Sequence, residues 1–250
     1  MLPLSLFRIR VIAICNLAGF VVSGILIAIT VYLPLWIQGI HGQGATSSGL
    51  TLIPLSIGWP LGAAIGGRIM LKLGEKMTSF IGISALFIGS LMLGFIGNHT
   101  PYWMLTSVMF VMGLGFGFAI TTFTVCIQSA VGWQLRGAAT ASSTFLRTLG
   151  QTVGIAVFGT LFNHNINDYL AAHHNVLKQS VDINKLFNPH FSRSISERTF
   201  EVMREAVAVG LHQIFLLVLG LSILALLVCM ALPGKRSVAV GNKTDKSEGV

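Results

Sequence analysis

Six stretches of 21 to 26 residues, each almost wholly apolar, dominate this 250-residue chain. They run Val11–Trp36, Gly49–Leu71, Met77–Gly97, Tyr102–Ile127, Gly137–Phe162 and Val207–Leu232. About 20 residues at 1.5 Å per residue cross the roughly 30 Å of hydrocarbon in a bilayer. A chain of 53% hydrophobic and only 10% charged residues cannot shield six such runs inside a soluble domain. The expected fold is therefore all-α, an integral membrane bundle of six helices, because isolated spans satisfy every backbone polar group only as helices. The first run follows Arg8 and Arg10 and resembles a signal peptide, but it is too long and no small-residue cleavage site closes it. It reads as a retained span.

The placement of cations orients the bundle. Ten of the 16 Lys and Arg, at positions 8, 10, 68, 72, 76, 136, 235, 236, 243 and 246, fall on one side of the spans. The short loops opposite, "IQGIHGQGATSS" and "NHT", carry none. The positive-inside rule places residues 1–10 and the tail 233–250 in the cytoplasm, and the long segment 163–206 outside. The net charge of +8 thus marks membrane topology, with no nucleic-acid partner implied. Tyr32, Trp36, Tyr102 and Trp103 are expected at the outer interface, where amphipathic rings are favoured.

Cys15, Cys126 and Cys229 all lie inside apolar runs and read as small buried hydrophobes. His164, His173, His174 and His190 match no metal-ligand spacing, and no cofactor or metal is expected. No nucleophile is paired with a base and no carboxylate or histidine cluster lies in the spans, so the chain is read as no enzyme. In the outer segment, Ser194 and Glu197 fit a capping box, and Arg198, Glu201 and Arg204 follow at helical spacing. A polar helix is expected to feed the sixth span.

Glycines recur at four-residue spacing: Gly58, Gly62 and Gly66; Gly113 and Gly117; Gly150 and Gly154. Such small-xxx-small faces bring membrane helices into close contact. Pro54 and Pro60 are expected to bend the second span.

The loop "GGRIMLKLGEK" resembles the glycine-and-basic loop motif of the major facilitator superfamily, in the form found in the second half of its members. Gly67, Lys72, Gly74 and Lys76 stand at its glycine and basic positions, and Leu71 where the first-half copy has aspartate. "YLPLWIQGIHGQGATSSGLTLIP", then "GLGFG" and "RGAATASSTFLRTLGQTVGIAVFGTLF", are similar in order and spacing to the carboxy-terminal part of fourteen-span drug/proton antiporters, over about residues 6–165. The resemblance implies the carboxy-terminal half of a multidrug efflux permease in the cytoplasmic membrane, a fragment or split half exporting lipophilic or cationic drugs. A non-transporting membrane interaction protein, or an inactive remnant of such a transporter, is the alternative.

All eight acidic residues lie outside the six spans, so a proton-coupling carboxylate has to come from an amino-terminal half. Arg147 stands about ten residues into the fifth span. An arginine at depth costs roughly 2.5–3.5 kcal/mol on insertion scales, which marks either a transport pathway or a guanidinium snorkelling to the headgroups. Gln151 shares its helix face one turn on. By resemblance the first and fourth spans line the cavity, which adds Asn16 and Thr30, then Phe116, Thr121, Thr122 and Gln128. Thr side chains that bond their own backbone are the plainer reading for part of this set.

Overall fold

Glycines with positive φ punctuate the helices. Gly42 at φ 63° ends the first, and Gly74 at φ 83° makes the reversal between the third and fourth. The structure, a computed structural model, describes residues 8–97, 100–172 and 197–233. These form α1 (Arg10–His41), a short α2 (Ala45–Leu50), α3 (Ile53–Leu73), α4 (Glu75–Gly94), α5 (Tyr102–Ser129), a 3-10 turn (Trp133–Leu135), α6 (Arg136–Ala172) and α7 (Glu197–Met230). All but α2 and the 3-10 turn are long and apolar enough to cross a membrane. There is no strand among the described residues.

The helices α1, α5, α6 and α7 outrun their apolar runs. At 37 residues α6 is about 55 Å long by helical rise, and it continues through Ala172 into the polar segment. The helix expected ahead of the sixth span is present from Glu197, while Ser194, the three histidines at 173, 174 and 190, and the tail from 234 lie outside the described residues. Pro54 sits in the first turn of α3, where its missing N–H has no intrahelical partner to lose. Of the two prolines expected to bend the span, only Pro60 lies in the helix interior.

α5 runs between α3 and α4, and α1 packs against α5, α6 and α7. The glycine faces make these contacts possible. A Cβ on Gly58 would fall 2.6 Å from the Phe110 carbonyl oxygen, and one on Gly113 would fall 2.5 Å from that of Leu55. Gly62 meets Leu114, and Gly117 meets Trp59 and Ala63, so α3 and α5 lie side by side in parallel register. α4 crosses α5 antiparallel, with Gly82 against Ala119 and Gly89 against Met112, a second glycine seam absent from the sequence reading. The loop after α3 is tied at both ends of its turn: Ser129 donates to Glu75 (3.1 Å), and the Lys76 ammonium donates to the Met230 carbonyl (3.0 Å).

The expected aromatic belt divides by helix face. Tyr102 and Trp103 are exposed, but Tyr32 and Trp36 are buried. Tyr32 packs edge-on to Phe158 and Phe162, at 6.2 and 5.7 Å between ring centres. The face on which each ring lies was not readable from sequence.

α3 and α6 are the least buried of the long helices. Each carries an exposed apolar stripe at four-residue spacing, Ile53, Ile57, Leu61 and Ile65 on α3 and Phe145, Leu149, Val153 and Val157 on α6.

Candidate functional site

α1 and α6 rise together in parallel, and their contact sets the environment of Arg147. Its stem lies along Gly19, where an added Cβ would stand 3.5 Å from Cγ and 3.9 Å from Cδ. Gly150 presses on the Phe20 carbonyl, and Gly154 packs on Ile27 and Gly24. These small residues bring the two backbones close enough for the arginine to lie in the seam.

The seam is polar and incompletely satisfied. The Arg147 Nε is buried without a hydrogen-bond partner. Asn16, one turn before Gly19 on α1, is only 2% exposed, and neither its amide oxygen nor its amide nitrogen is bonded. The hydroxyls of Ser23 and Ser142 are likewise buried and unpaired. Buried polar groups are bonded in the great majority of cases, so four such side chains on one pair of helices set this seam apart from the rest of the bundle. Sequence reasoning passed over Ser142, whose five-residue separation from Arg147 is not a same-face helical spacing.

The other expected pathway residues divide. Gln151 is half-buried one turn beyond Arg147. Thr30 donates to the Leu26 carbonyl (3.0 Å) and Thr122 to that of Phe118 (2.7 Å), both within their own helices. Thr121 is half-buried on α5. Phe116 is fully buried and stacked on Trp59 of α3, 5.7 Å between ring centres. Gln128 lies apart from the seam, near the end of α5, where its amide donates to Thr140 of α6 (3.1 Å). With Trp133, Arg136 and Thr144 it lines an open concavity of about 710 Å³. The loop-motif residues flank Glu75, which accepts from Ser129, the residue after Gln128. Gly67 has open space where a Cβ would be, Lys72 is exposed, Gly74 forms the turn, and Lys76 caps the carbonyl end of α7.

Exposed Thr144, Thr148 and Thr152 follow one another along α6, and the hydroxyls of Thr148 and Thr152 bond carbonyls one turn back. The seam thus opens onto a helix face that is mixed small, polar and apolar. Among the described residues no acidic side chain is bonded to it.

Comparison with known proteins gives the same architecture. The sequence profile described as Major Facilitator Superfamily matches residues 2–155. Multidrug resistance protein 3 of Bacillus subtilis (strain 168) is 27% identical, the match covering 97% of this chain and 49% of that one. Multidrug transporter protein MdtP of the same organism is 34% identical over 163 residues, 65% of this chain and 30% of that one. Among solved structures, a bacterial homolog of the human lysosomal transporter Spinster, inward-facing and occupied, superposes with a TM-score of 0.69 at 12% identity, over 90% of this chain and 50% of its own. The chain spans about half the length of the first of these relatives and of the solved transporter.

Proposed function

The chain belongs to the Major Facilitator Superfamily, and from that membership we propose that it serves as the carboxy-terminal six-helix half of a proton-coupled exporter of lipophilic or cationic small molecules. Members of the family are transporters, and the two curated relatives are named for multidrug resistance and transport. Transporters of this kind hold substrate near the midplane between two repeats that rock against each other. The working protein then includes an amino-terminal bundle, which covers part of the exposed α3 and α6 faces and contributes the titratable acid that the spans here lack. In the cytoplasmic membrane, the Lys and Arg distribution sets both ends inside, with segment 163–206 outside.

The observation that carries this reading is Arg147, whose Nε is buried without a hydrogen-bond partner on a helix long and apolar enough to cross a membrane. A charge kept at such cost, with neighbouring Asn16 also unsatisfied, has a partner in the complete transporter, and a carboxylate is the chemistry that fits. Arg147, Gln151 and Asn16 form the pathway wall, with Thr121 nearby on α5 and Gln128 at the cytoplasmic mouth. Phe116, Thr30 and Thr122 shape that wall from behind.

The test uses the chain reassembled with an amino-terminal half and measures efflux per membrane-inserted molecule. Arg147→Ala abolishes or strongly reduces export while insertion persists, and Arg147→Lys keeps part of it, because lysine retains charge but not the planar fork. Near-normal export by Arg147→Ala would remove the functional assignment. Expressed by itself, the chain gives no proton-driven export.

A further inference from the structure

At the end of the bundle where α1 terminates, a second group of unpaired polar atoms lies far from the Arg147 seam. A crevice of about 250 Å³ is lined by Trp36 of α1, Ile96 after α4, and Ala208, Val209, His212 and Gln213 of α7. Val209, His212 and Gln213 are exposed, so it opens on the outer surface of α7. Arg204 stands one turn beyond Ala208 on the same stripe of α7, and its Nε is buried without a partner. His41 packs edge-on to Trp36, 5.0 Å between ring centres, and its Nε2 is also buried and unbonded. Burial and the nearby Arg204 cation hold the His41 imidazole below its usual range, so it is neutral there.

Among the described residues no acid pairs with Arg204. Glu205 accepts a hydrogen bond from Tyr169 of α6 (2.6 Å), and among the described residues the only ion pair within 4.0 Å is His164–Asp168. Arg204, one turn from Ala208, and His41, edge-on to Trp36, therefore stand next to a crevice whose own lining is Trp36, Ile96, Ala208 and Val209 with His212 and Gln213. The volume is below the roughly 300–1,000 Å³ of drug-sized pockets, and the adjacent cation repels cationic drugs. Apolar walls below and a cation at the rim match an amphiphile with an anionic head.

We propose that this crevice binds an anionic phospholipid, its phosphate received by Arg204 and His41 and the start of one acyl chain lying against Trp36 and Val209. Arg204 supplies the charge and a directional N–H, His41 a neutral N–H once its tautomer is set by the lipid, and Gln213 a further polar group at the mouth.

Quenching of Trp36 by brominated lipid tests this in the whole chain reconstituted in vesicles. Subtracting the signal of Trp36→Phe isolates Trp36 from Trp59, Trp103 and Trp133. Brominated phosphatidylglycerol is expected to occupy the site about fivefold more readily than brominated phosphatidylcholine, the weight of one cation at an anionic surface. Arg204→Gln is expected to erase the preference and His41→Gln to reduce it, so that a failure of the first variant to fold leaves the second to decide. Excess inorganic phosphate is expected to leave the quenching unchanged. Equal quenching by the two lipids in the unaltered chain overturns the proposal, as does a preference surviving in the folded variants. Displacement by inorganic phosphate does the same, since the site would then read a phosphate group without the lipid.

Discussion

Arg147 lies along Gly19, its Cγ and Cδ 3.5 and 3.9 Å from where a Cβ on that glycine would stand. Those separations are ordinary van der Waals contact, so the seam admits a methyl group but no branched side chain. In the reassembled transporter Gly19→Ala is expected to export normally. Gly19→Val should lose export as fully as Arg147→Ala while still inserting, because it evicts the guanidinium stem. Efflux normalised to inserted protein decides, and full export by Gly19→Val would separate the arginine from transport.

The α3–α5 contact is tighter than the α1–α6 seam. A methyl on Gly58 would meet the Phe110 carbonyl oxygen at 2.6 Å, and backbone cannot yield as a flexible side chain does. Gly58→Ala is expected to destabilise the detergent-solubilised chain by about 1–3 kcal/mol, the usual range for overpacking. Gly67→Ala, which enters open space, serves as the neutral control. Thermal unfolding followed by circular dichroism compares them.

Lys76 and Lys72 occupy equivalent-looking positions in one loop motif, yet only Lys76 reaches a helix end, at Met230. Lys76→Gln is expected to lower stability by about 0.5–1.5 kcal/mol, the net value of a single hydrogen bond. Lys72→Gln should leave it unchanged. Equal effects in the same unfolding assay would show that the tie between α4 and α7 contributes nothing.

Orientation is accessible to labelling because all three native cysteines are buried and give little background. Gly44→Cys and Leu71→Cys introduce thiols at exposed positions, the first just before α2 and the second in the last turn of α3. A membrane-impermeant maleimide applied to whole cells is expected to label position 44 only, and position 71 only after permeabilisation. The reverse pattern would invert the topology.

Six spans, their order and the position of the arginine within its span were all legible in the chain, because each depends on the length and polarity of a contiguous run. Glycine spacing likewise marked α3, α5 and α6 as helices that make close contacts, without naming their partners, since close approach needs small residues one turn apart. What sequence could not assign is which side of a helix faces which neighbour. Tyr32 and Trp36 have the depth of interfacial aromatics but the azimuth of core residues, and Phe116 has the look of a cavity wall but lies behind Trp59. Asn16, Ser142 and Arg147 become one unsatisfied seam only because two helices distant in sequence run in parallel register. His41 comes under the influence of the Arg204 cation although the two are more than 160 positions apart in the chain. Local pattern sets the period and the depth of each helix; rotation about its axis is set by packing against the others, and that exists only once the bundle has assembled.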